Sequence, residues 1–118
     1  MKDIRERTFE FALRIIKLCQ QLEEGGGVGR TLGWQLLRSG TSIGANVEEA
    51  QAGQSKLDFI SKNAIALKEA RETIYWLRLL AASKIIPSLR LSELQSEADE
   101  LARIIGAIIV SAKRGKKL

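Results

Sequence analysis

Apolar residues recur along this chain at three- and four-residue steps almost from end to end, the spacing that collects side chains on one side of an α-helix. In the first stretch Ile4, Phe11, Ile15, Leu18 and Leu22 share a face. Asp3 followed three residues later by Glu6 has the form of an N-terminal cap. Gly25-Gly26-Gly27 predicts the stop, because each glycine costs a helix about 1 kcal/mol relative to alanine. A helix over about 3–24 follows.

The second stretch, about 29–52, places Leu36, Ile43, Val47 and Ala50 on one face with Gly40, beside a stripe of Gly33, Leu37, Gly40 and Gly44. Glycines inside a helix are tolerated where another backbone must come close. The spacing favours one continuous helix over a break near Ser39-Gly40-Thr41, with Gly53 as its stop. Ser55 with Asp58 three residues on predicts the next start, and a third helix over 56–84 with Ile60, Leu67, Ile74, Leu77 and Ala81 as its core stripe. Pro87 interrupts the pattern. Ser92-Glu93-Leu94-Gln95 then reads as the cap of a fourth helix over 92–113, with Leu94, Ala98, Leu101, Ile105, Ile108 and Ala112 facing inward. Four helices of matched length with short connections predict an all-α domain spanning 1–118, an antiparallel up-and-down four-helix bundle with a basic tail at 113–118.

Several helices carry more apolar surface than one bundle can hide. The first adds Phe9, Leu13 and Ile16, the third adds Phe59, Ile65, Tyr75, Trp76, Leu79 and Leu80, and the fourth is apolar almost all round from Ile104 to Val110. Large exposed apolar patches mark binding surfaces, and self-association is the simplest way to cover them. The alternative is that the extra residues are scattered over the surface.

Composition changes the picture mainly by exclusion. The 118 residues contain no histidine and one cysteine, Cys19, which removes histidine-based acid–base chemistry, most zinc sites and any intrachain disulfide. Cys19 reads as a buried, inert thiol. The glycine-rich stretch Gly25–Thr31 lacks the Gly-Lys-Ser/Thr of a phosphate-binding loop and joins two helices rather than following a strand. No cofactor or metal site is expected. The mixed charge of Met1–Arg7 argues against a secretory leader, and the Ile104–Val110 run is too short to span a bilayer, so the expectation is a cytoplasmic protein without membrane contact.

The net charge is +5, and it is unevenly spread. Residues 1–53 balance, whereas residues 54–90 carry Lys56, Lys62, Lys68, Arg71, Arg78, Lys84 and Arg90 against Asp58, Glu69 and Glu72. Lys56, Lys62, Lys68, Arg78 and Lys84, with Lys113, Arg114, Lys116 and Lys117 of the tail, are the candidate nucleic-acid contacts; the plainer reading is solubility. Arg38, Ser42, Asn46, Glu49, Glu69, Arg71 and Glu72 fall at helix contacts, where a carboxylate on a partly apolar face needs a partner. They read as a structural polar network that fixes helix register. An acid site using Glu49, Glu69 and Glu72 is the lesser alternative, since no nucleophile or histidine accompanies them.

The stretch Leu37-Arg38-Ser39-Gly40-Thr41-Ser42-Ile43-Gly44-Ala45-Asn46-Val47-Glu48-Glu49-Ala50, with its Ser42, Asn46 and Glu49 spacing, resembles the hallmark of the bacterial four-helix bundle proteins named after the 23S rRNA intervening sequence, also labelled S23-like. Ala66-Leu67-Lys68-Glu69-Ala70-Arg71-Glu72-Thr73-Ile74-Tyr75-Trp76-Leu77-Arg78-Leu79-Leu80 is similar to the same family, and the likeness covers about residues 8–110. The resemblance implies an up-and-down protomer in a homopentameric barrel. It extends more distantly to the accessory proteins of diversity-generating retroelements, basic pentamers that bind nucleic acid and a reverse transcriptase, although residues 1–53 here are neutral. The combined expectation is a non-enzymatic homo-oligomer, a pentamer by resemblance, that binds RNA or DNA, with structured RNA favoured. The alternative is a scaffold whose partner is another protein.

Overall fold

Four α-helices make up most of the described residues, 2–115, in the computed structural model: α1 (Ile4–Gly25), α2 (Gly27–Gln51), α3 (Lys56–Ala82) and α4 (Ser88–Lys113). The expected caps hold the starts of α1 and α3. Asp3 accepts the Glu6 backbone N–H at 3.0 Å, and Ser55 accepts that of Asp58 at 3.0 Å, each satisfying a donor the first turn leaves free. The glycine triplet interrupts less helix than its composition predicts. Only Gly26 stands between α1 and α2, and Gly26 and Gly27 have φ of +66° and +60°, the left-handed region that lets the chain reverse almost within one residue. The α2 helix runs unbroken through Ser39-Gly40-Thr41.

The fourth helix begins four residues before the expected cap. Pro87 occupies the N-cap position with φ −55°, and α4 starts at Ser88. Ser92 lies inside the helix and donates to the Leu89 carbonyl at 3.0 Å. The added turn has a cause: it seats Leu91 in the core at 1% exposure. At the far end of α3, Ser83 is the C-cap and Lys84 takes φ +62°, so the third helix ends two residues before the expected boundary.

Neighbouring helices run antiparallel. As α2 ascends, Gly33, Gly40 and Gly44 meet Leu22, Ile15 and Thr8 of α1 in descending order. A Cβ on Gly40 would lie 2.9 Å from Ile15 Cγ2, so the residue must be glycine for the two helices to sit this close. Sequential helices pack tightly, and the ring closes through a thinner α1–α4 seam. Along that seam Arg7 pairs with Glu97 at 2.7 Å and Glu100 at 2.9 Å, and Arg90 donates to Gln21 at 3.0 Å. Those carboxylates, Glu97 first and then Glu100, push the Arg7 guanidinium above its already high ordinary value. The bundle measures 47 × 22 × 22 Å.

Phe11, Ile15, Leu36, Ile43, Leu77, Leu80, Leu91, Leu101 and Ile105 form the fully buried centre. The inner stripe of α3 is rotated from the expected one. Asn63, Ala66, Ala70, Thr73, Leu77 and Leu80 face inward, while Ile60, Leu67, Ile74 and Ala81 flank the core as partly buried side chains. In α4 the inward residue is Ile109 rather than Ile108. Small residues on α3 allow close helix approach, and the larger apolar chains then fill the wedges beside it.

Candidate functional site

Among the described residues no group of three or more histidine, cysteine or carboxylate side chains could hold a metal ion. The concavities are open grooves, such as one of about 480 Å³ over the α1–α4 seam lined by Lys17, Gln21, Ile86, Arg90 and Leu94. Cys19 is buried with its Sγ 3.3 Å from the Gly33 carbonyl, and burial pushes its thiol up to about 11, which keeps it protonated and unreactive. Chemistry is therefore concentrated on two outer faces and on one polar seam.

The seam joins α2 to α3. Arg38 pairs with Glu72 and reaches Glu69 at 3.3 Å. Glu72 also accepts the Trp76 indole N–H at 3.1 Å, and the Trp76 ring meets Tyr75 edge-on with centroids 5.2 Å apart. Beneath the ion pairs, Thr73 Oγ1 lies 2.9 Å from Ser39 Oγ and 2.8 Å from the Glu69 carbonyl, with both hydroxyl residues fully buried. Ser39 and Thr73 are not among the expected network residues, although a hydroxyl residue on each of two facing glycine- or alanine-rich helices is a signal for such a contact. Other expected members stand apart. Glu49 pairs with Lys62 at 3.0 Å one helical end away. Ser42 and Asn46 bond carbonyls of their own helix, at Arg38 and Ser42. Arg71 points away from the seam and is exposed.

The described candidate cations occupy four separate places, Lys62 being the one paired with Glu49. Lys56 and Lys62 are six residues apart, roughly 240° around a helix of 3.6 residues per turn, so they cannot share a row, and the same holds for Lys62 and Lys68. Lys56 lies at the bundle end that also holds Lys113 and Arg114; its ammonium is 3.7 Å from where a Gly115 Cβ would stand. Lys84 sits at the opposite end. Lys116 and Lys117 fall outside the described residues. Lys68 and Arg78 do lie on one row, with Arg71 and Tyr75 between them, and all four are exposed. Steps of three, four and three residues align them along the outward side of α3. None of the three cations pairs with a carboxylate among the described residues.

The second face lies across α1 and α2. Phe9, Leu13 and Ile16 of α1 are 62%, 50% and 38% exposed, and Leu37 and Trp34 of α2 are 38% and 66% exposed. With the antiparallel register set by the glycine contacts, Ile16 sits beside Leu37 and both line one groove over Cys19. Five large apolar side chains on neighbouring helices form a patch of the kind that mediates association. No helix among the described residues is long and apolar enough to cross a membrane.

Comparison with known proteins bears on this arrangement. The model of the 23S rRNA-intervening sequence protein family matches residues 2–107. A crystal structure of a protein of unknown function from the S23 ribosomal protein family of Bacteroides thetaiotaomicron is 40% identical, with a TM-score of 0.84, covering 91% of this chain and 98% of that one. No curated protein matches.

Proposed function

This chain belongs to the 23S rRNA-intervening sequence protein family, and from that membership together with its two unlike faces we propose that it is a non-enzymatic scaffold: copies associate, a pentamer being the favoured number, and hold structured RNA on their cationic sides. The observation that carries the reading is the separation of the faces. Five exposed apolar residues lie together on α1 and α2, others being spread singly over the rest of the bundle, and a row of cations without carboxylate partners among the described residues lies on α3. A head-to-tail ring in which the first face docks on a surface other than the α3 row would leave that row in water, where several copies act together. Five copies of +5 give a formal +25, and phosphate contacts of this type bind with weak sequence preference and steep salt dependence.

The absence of a histidine anywhere in the chain and the spread of the acids between two ion-paired groups support the non-enzymatic part. Light scattering on the purified protein at micromolar concentration is expected to give a mass several times 13.1 kDa. Leu13→Glu and Trp34→Glu together are expected to reduce it towards that of one chain while helicity is kept. A monodisperse single-chain particle would overturn the assembly. Filter binding of a structured RNA across a salt series tests the ligand, and no detectable binding at low salt would overturn the RNA reading.

A further inference from the structure

We propose that the outward row of α3, Lys68-Arg71-Tyr75-Arg78, is the surface that receives the sugar-phosphate backbone of double-stranded RNA, and that the α2–α3 polar seam behind it holds the row in position. The proposal rests on the RNA reading above and names the site that reading leaves open.

Three features single this row out from the other basic side chains. The first is electrostatic. The two acids of mid-α3, Glu69 and Glu72, are turned to the α2 side and engaged by Arg38, so no carboxylate of α3 stands between Lys68 and Arg78 on the outward row. Lys2, Arg5, Arg7, Arg30, Arg38 and Lys62 spend their charge on carboxylates; Arg14, Lys17, Lys84, Arg90 and Arg103 share the row's freedom from carboxylate partners among the described residues, but they do not line up three to one helix face as Lys68, Arg71 and Arg78 do. The second is geometric. Ten residues of helix carry the row over about 15 Å, a rigid rod with cations on one side, which suits a regular array of phosphates better than a tail does. The third is the aromatic in its middle. Tyr75 is half exposed, and its ring is propped edge-on against Trp76, whose indole N–H is tied to Glu72. That chain of contacts sets Tyr75 between Arg71 and Arg78 with its hydroxyl free to donate to a phosphate oxygen, a contact that tyrosine commonly makes. One aromatic on a convex helix offers no slot for stacked, splayed bases, so backbone contact to a duplex is the fitting mode.

The test compares two triple variants of equal charge in the full chain, with a short duplex RNA of arbitrary sequence as probe. One is Lys68→Gln with Arg71→Gln and Arg78→Gln. The control is Arg14→Gln with Lys17→Gln and Arg103→Gln, all exposed and off the row. Each phosphate contact adds about 0.9 to the salt exponent, so losing three is expected to flatten the slope by nearly three and to cut affinity by on the order of a hundredfold at about 0.1 M salt. The control is expected to keep both. Tyr75→Phe, which retains the ring, is expected to weaken binding severalfold with the slope unchanged. Equal losses in the two triple variants would overturn the row while leaving RNA binding intact. Failure of the unaltered protein to bind the duplex at low salt would instead overturn the RNA reading and the row with it. Circular dichroism on each variant separates these outcomes from misfolding, since all the altered side chains are exposed.

Discussion

Gly40→Ala sets helix propensity against packing, and the two effects can be separated within this one molecule. An added Cβ at Gly40 would meet Ile15 Cγ2 at 2.9 Å and Cγ1 at 3.0 Å. Carbon atoms prefer about 3.5–4.0 Å, so at least half an ångström must be found. Ile15 is fully buried, and a close-packed interior gives it nowhere to retreat. Overpacking of this kind costs about 1–3 kcal/mol, against a propensity gain near 1 kcal/mol for replacing a helical glycine by alanine. Gly106 provides the control. It lies in α4, and a Cβ there would meet nothing within 4 Å. Gly106→Ala is therefore expected to stabilise by up to about 1 kcal/mol. The propensity gain is common to both variants and cancels, so the gap between them, about 1–3 kcal/mol, measures the overpacking alone. Denaturant titration followed by far-ultraviolet circular dichroism at one fixed chain concentration reads it, concentration being held because association shifts apparent stability. A double-mutant cycle with Ile15→Ala sharpens the assignment: the new methyl fills part of the space Ile15 vacates, so the pair should cost less than the sum by about 0.5–3 kcal/mol. If Gly40→Ala and Gly106→Ala were equally stable, the close approach of α1 and α2 would not be what requires glycine.

Three other outcomes are expected. Thr73→Val should cost about 1–3 kcal/mol by leaving the buried Ser39 hydroxyl with only a 3.4 Å contact to the Leu36 carbonyl. Ser39→Ala should cost less, because Thr73 keeps the Glu69 carbonyl at 2.8 Å; the reverse order in urea titrations would contradict the seam geometry. Lys84→Gly should stabilise by roughly 0.5–1 kcal/mol, since Lys84 has φ +62° and glycine takes that region without strain; a lower melting temperature would contradict it. The Asp3 carboxyl is lowered from its ordinary 3.8, first by the Glu6 backbone N–H, so its capping is complete above that value and is lost as pH falls through the lowered one. The Glu6 amide resonance should therefore titrate with a midpoint below 3.8, and a midpoint at or above it would count against the cap.

Helix existence, number and order were legible because 3.6-residue periodicity survives almost any tertiary context. Phase was less so. Weighting positions by hydrophobicity drew the expected α3 stripe towards Ile60, Leu67 and Ile74, but the helix turns Asn63, Ala66, Ala70 and Thr73 inward. Small side chains carry little hydrophobic signal even where geometry makes them the core. Asn63 is buried at 1% because its own helix satisfies it: its amide donates to the Phe59 carbonyl at 3.0 Å. The same phase error placed Arg71 among the polar-network residues, since proximity to Glu69 and Glu72 in sequence suggested pairing, whereas one or two residues along a helix carry it to another side. The capping pattern at Ser92 was a genuine local signal overruled by burial of Leu91. Among the candidate cations, composition could identify the excess on residues 54–90, but only the helix axis distinguishes a row from a scatter.

An even number of antiparallel helices returns the chain to where it began. The start of α1 and the end of α4 lie at one end of the 47 Å rod, and the Gly26 hinge lies at the other. The order in which the four rods are threaded is consequently negotiable: a short peptide bridging the old ends, with a new opening cut at Gly26, would give a circular permutant that keeps every interhelical contact. Fused partners at either terminus would likewise crowd the same pole and leave the opposite one clear.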